Sequence, residues 1–229
     1  MADWFQNLIA NYGVLLWEGV LDTIYMTLIS TLVACLLGFP IGILSVVTLP
    51  NGIRPMPVFN RILGAIINIG RSIPFIILLV AIRPFTKWVV GTSLGPDAVI
   101  VPLVISATPF IARLVENSFN DLDAGVIEAA RSMGARDMQI IWKVMIPEAL
   151  PSLILGMSLG AITIVGYTAM AGTVGGGGLG DIAIRYGYYR EESDIAVVTI
   201  VLLVVIVQIL QSLGQLISDK MDKRKKGER

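Results

Sequence analysis

Residues 128–147 read EAARSMGARDMQIIWKVMIP, and their types and spacing suit docking rather than bond-making. Glu128, Ala129 and Ala130 place one carboxylate beside two small side chains; Gly134 follows after three residues, and Val144, Ile146 and Pro147 complete the pattern after nine more. Glu128 can satisfy backbone donors or a basic partner, the two alanines permit close approach, and Gly134 permits a turn. No catalytic constellation accompanies them. The 229-residue chain has no histidine and one cysteine, Cys35, which excludes an internal disulfide framework, the commonest zinc sites, Ser-His and Cys-His nucleophile pairs and histidine proton relays. The glycines of 175–178, with Gly172 and Gly180 nearby, invite comparison with a phosphate loop, but no lysine follows them and an apolar run precedes them. They read as a flexible or tightly packed re-entry on the outer side of the protein.

The elements that must carry this stretch are apolar and long. Hydrophobic residues make up 55% of the chain, mean hydropathy is +0.79 and only 15% of residues are charged, so the chain is an all-α integral membrane protein. Its 17 basic and 17 acidic side chains cancel, and no nucleic-acid partner follows. Residues 1–14 lack a basic leading region, so an uncleaved first helix is expected to direct insertion. A bilayer core needs roughly 20 apolar residues in a helix. Five spans are predicted within a single transmembrane domain, 1–229: approximately 20–48, 73–90, 98–116, 149–172 and 195–218, with a polar loop over 117–148. The second is ambiguous, because a frame over 62–82 holds Arg71 and one over 73–90 holds Arg83 and Lys87. A mid-bilayer arginine costs about 2.5–3.5 kcal/mol, whereas one near the end can snorkel, which favours the later frame. Residues 57–70 are then expected to form an interfacial or partly buried helix.

Basic residues orient the chain. Arg54, Arg61 and Arg71, then Arg113, Arg131, Arg136 and Lys143, then Lys220, Lys223, Arg224, Lys225, Lys226 and Arg229 fall on one side, against Arg83, Lys87, Arg185 and Arg190 on the other. The positive-inside rule puts the N-terminus outside, the C-terminus inside and the 117–148 loop in the cytoplasm. Within that loop Asp121 and Asp123 suit a helix N-terminus, 128–133 a helix, Gly134 its end and 136–145 a second helix that Pro147 terminates. A short helix pinned between two spans can work as a lever. Gly38, Pro40 and Gly42 are expected bend points in the first span, and Gly156, Gly160, Ala161 and Gly166 are expected to permit close helix packing. An ion-coupled carrier would place ionisable groups at mid-membrane, and 149–180 and 195–218 have none. Paired carboxylates for an intramembrane enzyme are absent from the spans as well.

The E-A-A, x3, G, x9, V-M-I-P spacing resembles the EAA loop of the permease subunits of ABC importers, with Val144 where isoleucine is usual and Ile146 in the leucine position. The flanking segments Arg71–Leu79, Pro109–Asn117 and Gly166–Met170 are similar to methionine-importing members of that family, whereas permeases for other amino acids carry closer to R-G-T-P at Arg71–Pro74. The likeness covers about residues 20–217. It implies a bacterial inner-membrane homodimer with two ATPase subunits docked on Glu128, Ala129, Ala130, Gly134 and Pro147, and an extracytoplasmic methionine-binding protein as a further partner. ATP and magnesium would sit on the ATPase, leaving this chain without a cofactor. Met170 would lie where the pathway closes, since a flexible thioether can seal against its twin. Tyr167, Thr168 and Ser106 are candidate polar linings beside it.

Overall fold

The computed structural model describes residues 2–222, and every regular element in them is helical. In chain order these are α1 (Ala2–Val47), α2 (Pro57–Ser72), α3 (Phe75–Ala81), α4 (Arg83–Val90), α5 (Pro96–Asn120), α6 (Ala124–Ser132), α7 (Asp137–Ile140), α8 (Ile146–Ala171), α9 (Gly178–Ile182) and α10 (Ser193–Met221). Contacts group the chain into two units. One takes the chain up to Leu32 with Pro74–Ile105 and Ala161–Ile209; the other takes Val33–Ile73, Ser106–Gly160 and the chain from Leu210. Helices α1, α5, α8 and α10 contribute to both.

Four helical stretches are long and apolar enough to cross a membrane: Ala10–Val47, Pro96–Asn120, Asp137–Val174 and Ser193–Met221. A fifth crossing is available if α2 and α3, bent by 93° at their junction, act as one broken span. No single helix forms over 73–90, contrary to the frame favoured from the sequence. Ile73 precedes Pro74, whose ring disfavours the helical region for its neighbour, and Ile73 is extended at φ −80°, ψ 119°. A second break at Ile82, φ −94° and ψ 9°, precedes Pro84 in the first turn of α4. Residues 57–70 do form the expected helix, as part of α2.

In the unit containing Val33–Ile73 and Ser106–Gly160, α5 is the central element. Cβ atoms added at Gly38 and Gly42 of α1 would stand 2.9 Å from the Thr108 carbonyl and 2.6 Å from the Ala112 carbonyl. Those glycines are therefore contact points with α5 in a helix that runs on through Pro40 to Val47. On α8, Gly156 faces Leu114 and Gly160 faces Ile111, also of α5, whereas Gly166 faces open space. Ile111, Ala112, Val115 and Phe119 are buried beneath these contacts.

A charged node lies in the same unit. Glu116 is 8% exposed, and its two oxygens accept from Ser45 Oγ of α1 at 2.8 Å and from Arg113 Nη1 at 2.6 Å. Arg113 Nη2 also donates to Asn68 Oδ1 of α2 at 2.7 Å, and Asn60 Nδ2 donates to the Ser45 carbonyl at 2.6 Å and to Thr48 Oγ1 at 3.0 Å. A buried carboxylate is tolerated only when its lone pairs are occupied. Arg113→Ala is expected to lower stability by about 3 kcal/mol by stranding that charge, with Glu116→Gln milder; thermal unfolding in detergent would measure both.

Candidate functional site

The helix that carries Glu128 is defined at both ends by local chemistry. Asp123 Oδ1 accepts from the Gly125 N–H at 2.8 Å and caps α6. At the other end Gly134 N donates to the Arg131 carbonyl at 2.9 Å and Ala135 N to the Ala130 carbonyl at 3.1 Å, the paired bonds of a Schellman turn. That turn needs a left-handed residue, and Gly134 has φ +80°. α6 begins earlier than expected, at Ala124, because the cap lies at Asp123 and Gly125 through Ile127 continue the helix.

Glu128 and Ala129 are exposed, while Ala130 is 3% exposed and faces inward. No hydrogen bond or ion pair within the described residues holds the Glu128 side chain. Gly134 is exposed and its surroundings are open. Arg131, one residue beyond the alanines, turns back to donate from Nη2 to the Ile53 carbonyl at 2.9 Å. The loop therefore offers its carboxylate outward and is tied inward by its arginine. Exposed Met133, Met138 and Trp142 add apolar surface around it, and Met138, Ile141 and Trp142 border an apolar groove of about 600 Å³ with Phe39, Pro40 and Val47.

Pro147 does not end the second helix of the loop, contrary to the expectation from sequence. After Asp137–Ile140 the chain widens into a π turn, Ile141–Met145, in which Ile146 N donates to the Ile141 carbonyl, and α8 follows without a gap. The N–H that proline lacks falls where the hydrogen-bond ladder has already shifted register, so the helix absorbs it. Asp137–Val174 is thereby one continuous helical stretch. Pro147 itself is exposed, beside a cleft of about 210 Å³ lined by Ser118, Asp121, Leu122 and Glu148.

The four candidate pathway residues divide. Met170, near the end of α8, is 49% exposed, and Gly166 one turn before it is exposed too. Tyr167 is half-buried and stacks on Phe75, with ring centroids 4.7 Å apart and planes within 5°. Thr168 is buried and donates to the Val165 carbonyl of its own helix at 2.8 Å, and Ser106 is buried. Just beyond Met170 the glycine-rich segment folds back tightly: a Cβ at Gly172 would collide with Asp181 and Gly180, and one at Gly180 with Ala169. Leu179 N donates to Thr23 Oγ1 at 2.9 Å, so the segment is clamped to α1, the tightly packed one of the two forms expected for it. Sequence reasoning missed the Glu116 node and the Arg131 hook. The i, i+3 spacing of Arg113 and Glu116 was the available signal for the first; the second joins residues too far apart in the chain for any local pattern.

An all-helical membrane component with an exposed, capped loop helix and no cluster of metal-binding side chains among the described residues defines the class. The chain belongs to the family described as binding-protein-dependent transport system inner membrane component, which it matches over residues 38–225. It is 48% identical over 224 residues to the probable D-methionine transport system permease protein MetI of Vibrio cholerae, covering 98% of each chain. It is 46% identical to the methionine import system permease protein MetP of Bacillus subtilis, covering 91% of this chain and 94% of that one. Among solved structures, an inward-facing form of the MetNI methionine ABC transporter matches with a TM-score of 0.91 and 46% identity over 93% of this chain and 98% of the other. An amino acid ABC transporter shares the fold at a TM-score of 0.76 and 18% identity. Family membership makes the chain a transport component of the inner membrane and displaces the ion-coupled carrier.

Any side chain at Gly134 must adopt a left-handed backbone that costs about 1–2 kcal/mol. Gly134→Val is accordingly expected to speed amide exchange in the last turn of α6 about tenfold, with Gly134→Asn less affected; hydrogen-exchange mass spectrometry is the check.

Proposed function

We propose that this chain is the methionine permease of an ABC importer, acting as a homodimer that two ATPase subunits drive through α6. The observation that carries the reading is α6 itself, a capped helix whose exposed Glu128 has no partner within the described residues and which the Gly134 turn joins to the continuous helical stretch Asp137–Val174. Its orientation follows from the basic residues, which put Arg131, Arg136 and Lys143 on the cytoplasmic side with the N-terminus outside. The names of relatives at 46–48% identity over nearly the whole chain supply the cargo. An extracytoplasmic methionine-binding protein would deliver it, and ATP with magnesium would be held by the ATPases alone.

Mechanically, the two ATPases close on ATP and draw the two copies of α6 together. Displacement of α6 passes through the Gly134 turn into α7 and on, through the π turn, into α8. Moving the permease from a 1:99 to a 99:1 balance of states takes about 5.5 kcal/mol of differential binding, which ATP-driven docking must provide. Glu128 pairs with a basic group of the ATPase, Ala129 lets the surfaces approach, and Gly134 and Pro147 shape the loop. Met170 closes the pathway against its counterpart in the second copy. Its exposure at the end of α8, with the bare Gly166 one turn away, supports that role. Tyr167 and Thr168, on the same helix, are further candidates for the lining.

Purification of the tagged chain with its native partners is expected to bring ATPase with it in equal copy number, and the reconstituted complex is expected to take up labelled methionine in competition with unlabelled methionine but not with other amino acids. A preparation without ATPase, or uptake competed equally by unrelated amino acids, refutes the corresponding half of the proposal. Met170→Ala is expected to raise passive methionine leak through nucleotide-free complexes several-fold while leaving assembly unchanged; tight closure in the variant would remove Met170 from the gate.

A further inference from the structure

We propose that Arg131 is a transmission residue: it carries displacement of α6 to the connection between α1 and α2, along a route separate from the chain path through the Gly134 turn and α7 into α8. This inference rests on α6 being the ATPase-docking helix. Arg131 Nη2 donates to the Ile53 carbonyl at 2.9 Å, and the sequence separation of 78 residues makes it a tertiary tie rather than a local cap. Hydrogen bonds from a charged donor to a carbonyl are among the stronger ones, which suits a link under load.

What lies behind Ile53 decides whether a pull on it goes anywhere. Ile53 is buried, so its backbone does not swing free in solvent. The next residue, Arg54, donates its N–H to the Val47 carbonyl at 3.0 Å, and Met56 N donates to the Thr48 carbonyl at 3.1 Å, folding the connection back onto the end of α1. Gly52 is pressed against the Val46 and Val47 carbonyls, where a Cβ would stand 2.7 Å and 2.5 Å away. Thr48 in turn receives Asn60 Nδ2 from α2, and Ser45 one turn earlier donates to Glu116 of α5. From Arg131 to Glu116 the path runs along the backbone and through short hydrogen bonds, and it ends in a part-buried ion pair that also holds Asn68. Coupling between separated sites travels through contiguous packed and hydrogen-bonded groups of this kind.

The connection is too short and too bonded to absorb movement of α6 by loop slack. Arg131 therefore has two duties available, and they separate experimentally: if it only positions α6, its loss changes assembly; if it transmits, its loss changes the yield of transport per ATP hydrolysed. Met133 and Met138 on the loop carry no side-chain donor, and Trp142 is exposed.

The test uses the complete complex in proteoliposomes, with ATP hydrolysis and labelled methionine uptake measured on the same preparations. Arg131→Ala is expected to keep ATPase subunits bound and hydrolysing while methionine carried per ATP falls about fivefold, and Arg131→Lys, which retains a donor for the Ile53 carbonyl, to recover most of the ratio. Arg61→Ala removes an exposed positive charge from α2 and is expected to leave the ratio unchanged. An unaltered ratio in Arg131→Ala overturns the proposal, as does loss of ATPase from that variant alone, which would make Arg131 an assembly residue. Absence of ATPase from the wild-type preparation is a different failure, removing the docking role of α6 and the transmission route with it.

Discussion

Glu116 is a carboxylate that the fold has taken out of water, and much of the surrounding architecture follows from keeping it satisfied. Its oxygens are divided between Ser45 of α1 and Arg113 of α5, and Arg113 reaches on to Asn68 of α2. Three helices thereby acquire a fixed register at one point, in a unit whose packing between α1, α5 and α8 is otherwise largely apolar. Packing of Gly38 and Gly42 against α5 brings α1 close enough for Ser45 to reach; the polar bonds then select one registration among the several that small residues and methyl groups would tolerate. A buried ion pair is weak evidence of stability and better evidence of specificity, and its place here, near the loop that carries Glu128, suits a part of the molecule that must move as a body.

The loop is built on the opposite principle. α6 is set by its own ends, the Asp123 cap and the Schellman turn at Gly134, so it needs little from the rest of the chain to be a helix. That independence leaves Glu128 and Ala129 free for a partner, while the buried Ala130 and the Arg131 hook keep the helix seated. The π turn before α8 completes the arrangement. By absorbing Pro147 in a widened turn, the chain gains a rigid exit from the loop where a proline-ended helix would have left a hinge. On the proposed docking role of α6, stiffness between α7 and α8 would limit loss of the stroke along that part of the path.

Features governed by local chemistry were legible without coordinates. Asp123 as an N-terminal acid, Gly134 as a terminator, the helix over 57–70 and the apolar spans near 98–116, 149–172 and 195–218 all depend on residues within a turn or two of each other. The single helix expected over 73–90 came from treating charge as decisive, and the chain there forms α3 and α4 instead. Keeping Arg71 out of the bilayer argued for a helix over 73–90, but the restriction Pro74 places on Ile73, and the N–H that Pro84 lacks for the carbonyl four residues back, break it. Pro147 misled for the converse reason: a proline normally stops a helix, and only the shift to i→i−5 bonding, invisible in residue types, lets this one continue.

Composition and the placing of its charged residues by themselves determined that this is an all-helical membrane protein with a polar loop between two of its spans, because hydrophobicity, charge and turn chemistry act residue by residue. Tertiary structure alone decided which glycines face α5 and which, like Gly166, are left bare, that Met170 is exposed while Thr168 and Ser106 are buried, and that Arg131 reaches Ile53. Those outcomes rest on contacts between residues tens of positions apart. They are settled by how whole helices pack and by the need to pair each buried polar group, quantities that no local window of the sequence contains.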